Sequence, residues 1–563
     1  MKRQGLKQNS MILLIATAIS KILGVVFKIP LTNLLGGSGM GYFAGAYGIF
    51  IPVYTVICAG LPTALIRLVA KNCASGNYKT VRKLKKVATA IFLITGAVGT
   101  VLIIIFALPT AKHIAKNPDC VYALIMLSPS LMLCCLAAVQ RGYYEGMSNM
   151  YPTAISQVCE SIAKTLFGLL FTVIAIKLGM RSYENTGAVF NRAVSSYNDA
   201  KTACLPFAAA GAMLGSTFSE LAGLIAVYIK TKFFGDGISK EEYDFSNKSE
   251  STLSIIKQLF MIAIPLTMGA VISAGTSFLD LASIMHGLNT AVQKDITAFS
   301  HLTKTMSAEE IPNFLYGSYT GLTGTVISFV PIVAGLLSKV ALPEVSADCQ
   351  NNNPIIIRRN IENIMEATLI FSVPSGFIIC ALSKQILTLL YPSRLLEISV
   401  SILPLSILGI SAVFISIIIP VSSMLCAAGK EKSIIFLTLF SSLLELMLNI
   451  LLVRIPTINI VGVAIATAVS NVITASISLF ILSKSVNANL HFKRIFVFTF
   501  SFSGASTCLI LLAKKLLLNK FSELESVVGA LFLGVLCYFL LLFRSKVLKK
   551  ADLQAFFMKK PLK

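Results

Sequence analysis

Apolar stretches of roughly 20 residues recur along nearly the whole chain, each long enough at about 1.5 Å per residue to cross a hydrocarbon core of about 30 Å. They fall at 10–33, 44–70, 87–109, 120–144, 153–177, 204–229, 256–285, 315–337, 360–382, 400–428, 433–453, 460–483, 495–513 and 525–543. The pattern predicts about fourteen membrane-spanning helices. In lipid every backbone N–H and C=O must be paired internally, so the alternative to helices is a closed barrel, and the roughly 10-residue alternation of barrel strands is absent. The expected fold class is an all-α integral membrane protein.

Two comparisons between the chain halves suggest an internal repeat. Gly211, Ser219 and Glu220 in the sixth span match Gly462, Ser470 and Asn471 in the twelfth at the same offsets. The hairpins around Gly146 and Gly429 are each followed by a long apolar helix containing one acid. The natural parse is two six-helix lobes plus two C-terminal helices: an N-lobe at 1–230, a cytoplasmic linker at 231–255, a C-lobe at 256–484, and the last two spans with a basic tail at 485–563. Repeated halves place substrate sites at their interface.

Composition sharpens this picture. With 55% hydrophobic and only 13% charged residues over 563 positions, and a mean hydropathy of +0.80, the chain requires lipid as solvent. A net charge of +23 would suggest nucleic acid in a soluble protein; here the position of the basic residues matters more. The greater part of the Lys and Arg lies on one set of alternate loops, notably Lys79, Arg82, Lys83, Lys85 and Lys86, and Arg544, Lys546, Lys549 and Lys550. The positive-inside rule then puts both termini in the cytoplasm, and the same clusters suit contacts with anionic membrane lipids. The N-terminal Lys2, Arg3 and Lys7 precede an apolar run without an A-x-A cleavage pattern, which reads as a retained first helix. Most of the 12 cysteines sit inside apolar spans, none forms C-x-x-C, and the 4 histidines are scattered. They read as small hydrophobes, not as a metal or disulfide framework. No P-loop, Rossmann glycine pattern, H-E-x-x-H or G-x-S-x-G is present, so the expectation is no enzyme, no organic cofactor and no nucleic-acid partner.

Ionisable groups within the spans carry the candidate chemistry, because each costs roughly 2.5 to 3.5 kcal/mol at the bilayer centre and needs a partner, a cavity or a snorkelling route. The first half holds Lys21, Lys28, Arg67 and Lys164 against Glu160 and Glu220; the second holds Asp280, Glu366 and Glu445 with no comparably central base. One half looks suited to an anion and the other to a cation. Lys21 and Lys28 share one helix face about 10 Å apart along the axis, a spacing a paired phosphate can span. Snorkelling by Lys28 and an acid partner for Lys21 are the alternative. Arg67 sits near the cytoplasmic end of its span, where snorkelling is cheap. Glu160 and Lys164 stand in the favourable i, i+4 order and are expected to form an ion pair, whether structural or beside substrate. Asp280 lies among Ser273, Thr276, Ser277 and Ser283, and Glu445 precedes Asn449 by one helical turn. Such oxygens can share a proton or replace the hydration shell of Na⁺; polar helix–helix hydrogen bonds are the plainer use. Glu366 has the same ambiguity.

Ser20 to Lys28, Leu35-Gly36, Gly39 to Phe43, and above all Arg141-Gly-Tyr-Tyr-Glu-Gly-Met-Ser-Asn-Met-Tyr-Pro-Thr-Ala-Ile-Ser-Gln157 resemble the stage V sporulation protein B and MurJ-type branch of the multidrug/oligosaccharidyl-lipid/polysaccharide exporter superfamily. The resemblance covers essentially the whole chain. It implies two lobes around a central cavity, alternating access, and flipping of undecaprenyl-linked precursors such as lipid II by a monomer. It also implies that Lys21, Lys28 and Arg67 face the pyrophosphate, with Lys at the first two where Arg is common in relatives. Lysine keeps the charge and loses the bidentate fork. By the same resemblance Asp280, Glu445 and Asn449 fall where relatives hold Na⁺, with Glu445 departing from the expected acid and amide order, so Na⁺ and H⁺ both stand as coupling ions. The rival readings are a drug or organic-cation antiporter of the same superfamily, which needs an acidic, aromatic cavity, and a sporulation membrane scaffold.

Overall fold

The computed structural model describes residues 6–246, 249–336, 338, 354–485, 493–519 and 521–545. Lys2, Arg3, Lys546, Lys549 and Lys550 lie outside them. Among the described residues 12 helices are long and apolar enough to cross a membrane, or 13 counting the bent pair Ile311–Ile327 and Phe329–Leu336. The chain is a multi-pass, all-α membrane protein. One apolar run, Met11–Ala74, is 64 residues long and contains two of the spans expected from sequence. It divides because helix α1 (Leu6–Cys58) breaks at Gly36, whose φ of 64° and ψ of −169° suit glycine and no L side chain. A second break separates α1 from α2 (Gly60–Ala74).

Packing divides the described chain into two compact units, Met1–Thr325 with Ser442–Val463, and Val326–Ser441 with Ala464–Lys563. The first contains α3 (Tyr78–His113), α4 (Cys120–Leu127), α5 (Pro129–Gly146), α6 (Tyr151–Thr186), α7 (Tyr197–Ala203), α8 (Leu205–Phe234), α9 (Lys240–Asp244), α10 (Thr252–Lys294) and α11 (Ile311–Ser318). The lobe boundaries expected at 230 and 256 follow the repeat, whereas compactness groups α10 with the first unit through its packing on α1 and α2.

Backbones meet without intervening side chains where α1 crosses α11. A Cβ placed on Gly317 would lie 1.9 Å from the Gly37 carbonyl oxygen, and one on Gly41 would lie 2.3 Å from that of Asn313. The Asn313 amide then donates to the Ser38 carbonyl at 2.9 Å. Small residues permit this approach, which in lipid replaces the hydrophobic drive for helix association. Gly37 and Gly41 are thereby accounted for.

In the second unit α12 (Pro354–Ala381) packs on α13 (Ser383–Leu390) and α14 (Leu395–Ala427), while α17 (Lys493–Leu517) pairs with α18 (Glu523–Arg544). Between them in sequence come α15 (Glu431–Leu452), whose last part belongs to the first unit, and α16 (Val461–Ser485). Ile361, Met365, Val373, Ile417 and Val421 form its main apolar core. Polar crosslinks support it: Tyr538 donates to the Ile370 carbonyl at 3.1 Å and Asn471 donates to Ser411 at 2.9 Å.

Two extramembrane elements belong to the first unit. Strands β1 (Ala188–Val189) and β2 (Arg192–Ala193) form a short antiparallel hairpin. Its Arg192 forks onto Asp119 at 2.5 and 3.0 Å, and that hydrogen bond raises the guanidinium pKa further. On the linker, α9 starts with a capping box of Ser239 and Glu242, and the segment straps onto the basic start of α3. Arg82 pairs with Asp236 at 2.8 Å and lies 4.7 Å from the Tyr243 ring centroid. Lys83 donates to the Glu250 carbonyl at 2.6 Å. The clustered lysines of this loop are thus partly occupied by the linker itself.

Candidate functional site

The cations of the first unit divide into two kinds. Lys21 and Arg67 are exposed and make no hydrogen bond or ion pair among the described residues. Lys28 and Lys164 are enclosed. Lys164, on α6, donates to the Tyr47 hydroxyl at 2.7 Å and stands 5.1 Å from the Tyr47 ring centroid and 5.8 Å from that of Phe27. Tyr47 in turn lies 3.3 Å from the Ser216 hydroxyl on α8. Lys28 is near enough to Lys164 for their charges to repel. Among the described residues neither lysine forms an ion pair, although Glu160 and Glu220 attract Lys164 at longer range, so the pair forms an enclosed positive region lined by aromatic faces and hydroxyls.

The ion pair expected between Glu160 and Lys164 is not formed. Glu160 instead takes the Arg141 guanidinium through a short charge-assisted hydrogen bond. The geometric reason is the fork: Arg141 reaches across from α5 and also donates to the Ser156 hydroxyl at 2.8 and 3.1 Å. Ser156 then donates to the Gly223 carbonyl of α8 at 3.0 Å. Glu220 lies beside Glu160 and Cys134 in the same cluster. Three helices are joined through one guanidinium and Ser156, and Lys164 is left without a direct ion pair, attracted by Glu160 and Glu220 only at longer range.

Arg141 was not among the candidates from sequence. Its signal was available, since an arginine within the 120–144 span needs a partner, but spacing along one helix cannot reveal a partner on another. Neighbouring residues of the same motif are also fixed. Tyr143 donates to Asp236 at 3.3 Å, Tyr144 shares a 2.6 Å hydrogen bond with Thr231, and Glu145 accepts from Thr153 at the start of α6 at 3.0 Å. Burial by itself would raise the Asp236 carboxyl, but the Arg82 hydrogen bond, the Ile238 N–H and Tyr143 outweigh it and hold the carboxyl below its usual range.

Asp280 and Asn449 meet. The Asn449 amide nitrogen donates to the Asp280 carboxylate at 2.7 Å, joining α10 to the end of α15. Asn449 is fully buried, at 0% exposure, and its oxygen has no hydrogen-bond partner. A buried orphan oxygen beside a carboxylate fits a hard cation, with Glu445 one turn earlier on the same helix. Ser273, Thr276, Ser277 and Ser283 spend their protons on carbonyls of their own helix. Glu366 sits on α12 in the second unit.

Comparison with known proteins agrees with this architecture. Residues 6–196 match the family model "Polysaccharide biosynthesis protein", and residues 329–537 match "Lipid II flippase MurJ". Stage V sporulation protein B of Bacillus subtilis (strain 168) is 22% identical over 393 residues, 70% of this chain and 68% of that protein. Lipid II flippase MurJ of the same organism is 29% identical over 181 residues, 31% of this chain and 33% of that one. In fold, the chain is similar to a lipid II flippase MurJ in an inward closed conformation, with a TM-score of 0.67 and 15% identity over 95% of this chain and 99% of that one. It is also similar to an inward-facing multidrug resistance MATE family transporter, with a TM-score of 0.59 and 14% identity over 85% and 98% of the two chains. Taken with the motif from Arg141 to Gln157, these matches make the chain similar to the polysaccharide biosynthesis and lipid II flippase families over residues 6–196 and 329–537, and similar in fold to both solved transporters.

Proposed function

We propose that this protein translocates an undecaprenyl-pyrophosphate-linked, lipid II-like cell-wall or polysaccharide precursor across the cytoplasmic membrane by alternating access, with both termini cytoplasmic. The single observation that carries the reading is the Lys28 and Lys164 pair. Two enclosed ammonium groups that form no ion pair are costly in a membrane interior, and a substrate phosphate offsets that cost by supplying a directly paired charge. Because Arg141 takes Glu160, that acid forms no ion pair with Lys164 and acts on it, with Glu220, only at longer range. Lys21 and Arg67 add positive charge that is free to follow a moving head group. An organic-cation antiporter would be repelled by the same arrangement.

On this reading Asp280, Asn449 and Glu445 form the coupling site. Na⁺ bound there would take the Asn449 oxygen and the Asp280 carboxylate as ligands and would supply a downhill gradient; H⁺ would reside on the Asp280 carboxyl. The test is reconstitution in vesicles with an undecaprenyl-pyrophosphate-linked sugar, scoring head groups that become accessible on the far side. Wild type should expose them, and a Lys28→Gln/Lys164→Gln double variant that folds and inserts should not. Equal exposure by both proteins refutes the phosphate assignment.

A further inference from the structure

An apolar site, apart from the charged ones, lies on the lipid side of the first unit and does not depend on what the protein transports. A cavity of about 330 Å³ is walled by α1, α2, α3 and α10, with Val56, Leu61, Thr95, Ile264, Thr267 and Val271 among its lining. Its few hydroxyls are already satisfied on their own helices: Thr267 donates to Ala263 at 2.9 Å and Thr95 to Phe92 at 3.3 Å. Water needs two to four polar partners to occupy such a space, and here it has almost none. Left empty, the lining would forfeit its dispersion contacts. Around the mouth Met261, Ile264 and Met268 are 63%, 57% and 64% exposed on a membrane-spanning helix, so the surrounding medium is hydrocarbon.

A charge stands above the opening. Lys257, Phe260, Ile264, Met268 and Val271 recur at three- and four-residue spacing, which places them in one stripe along α10. Lys257 is exposed and makes no hydrogen bond or ion pair among the described residues. It precedes Ile264 by about 10 Å along the axis, on the side of α10 nearest the linker strap. That is the relation of a phospholipid head group to the upper part of its own chain. The cavity holds on the order of ten methylene-sized groups, which suits a stretch of one acyl chain.

We infer that this cavity binds one acyl chain of an anionic phospholipid from the leaflet on the linker side, with the lipid phosphate held at Lys257. The site adjoins two discontinuities. Gly60, where α2 begins, would place a Cβ 2.3 Å from the Ala263 carbonyl and from the Thr267 hydroxyl. Pro265 interrupts the hydrogen-bond ladder of α10 beside it. A chain seated there fills the gap between two bend points and so biases how α2 and α10 move against each other.

The chain contains no tryptophan, so one introduced residue is a clean fluorescent reporter. Met268→Trp at the mouth is compared with Leu536→Trp, a control on α18, in vesicles containing brominated phosphatidylglycerol or brominated phosphatidylcholine. Quenching at Met268→Trp should favour the anionic lipid by about five-fold, the effect of one lysine near an anionic surface, while Leu536→Trp shows no preference. Adding Lys257→Gln should abolish the preference at Met268→Trp, while Lys257→Gln combined with Leu536→Trp should quench as Leu536→Trp alone does. Equal quenching by both lipids at Met268→Trp overturns the proposal, as does a preference that survives Lys257→Gln. Displacement of the brominated lipid by undecaprenyl phosphate but not by unlabelled phosphatidylglycerol would assign the cavity to an isoprenoid tail and overturn it equally.

Discussion

Arg141→Gln tests whether the guanidinium of the α5 motif is what holds the acids of the first unit. In the wild type Arg141 and Glu160 are 21% and 25% exposed, so the pair is largely buried. The substitution leaves Glu160 without its cation and loses both hydrogen bonds to Ser156. Removing one partner of a buried pair costs about 3 to 5 kcal/mol, and the residual exposure argues for the lower end, about 3 kcal/mol. A neutral Glu160→Gln partner removes the stranded charge, so the double variant should recover most of the loss, and the cycle should give a coupling of about 2 kcal/mol. The readout is the midpoint of unfolding in detergent for the wild type, the two single variants and the double, measured at one protein concentration. Additive losses would mean that Arg141 and Glu160 act independently, and the network described here would be wrong. Arg141→Lys is the sharper comparison. It keeps the charge and loses the fork that serves Ser156 and Glu160 together, so an intermediate loss of about 1 to 2 kcal/mol is expected.

Lys164→Gln should leave the Arg141 network and thermal stability nearly intact while lowering precursor translocation at least ten-fold; a variant that transports normally contradicts the anion role. Asp280→Asn should abolish dependence of transport on the Na⁺ or pH gradient without preventing insertion, and unchanged dependence on both in reconstituted vesicles would exclude it from coupling. Gly317→Ala forces α1 and α11 apart at a contact where the added Cβ meets the Gly37 carbonyl oxygen at 1.9 Å. A loss of about 3 kcal/mol or more in detergent unfolding is expected. The Asp236 carboxyl titrates below its unfolded value, so its contribution is fully present above that value and is lost as pH falls through the lower folded one. Hydrogen exchange of the linker amides should therefore be insensitive to pH-dependent undocking at neutral pH, after correction for intrinsic rates, and show undocking only below about pH 4. Asp236→Asn should remove that acid transition.

The sequence alone determined the membrane class, the approximate helix count and which ionisable residues fall within the apolar runs. These follow from local quantities: the length of an apolar run against bilayer thickness, and the cost of any ionisable group within it. It also carried the family motif, but not what its residues do. Arg141, Tyr143, Tyr144 and Glu145 look like a signature in one dimension, and each proves to be tied to a different neighbour in three. Tertiary structure decided the pairing. The i, i+4 rule nominated Lys164 for Glu160, yet a guanidinium arriving from another helix offers two donors in a fixed fork and also satisfies Ser156, which a single ammonium on the same helix does not. The same holds for Asp280. Its helix supplied several nearby hydroxyls, but these bond back to their own carbonyls, and the partner is Asn449 from a helix far along the chain. Periodicity states which residues share a face; only packing states what that face meets.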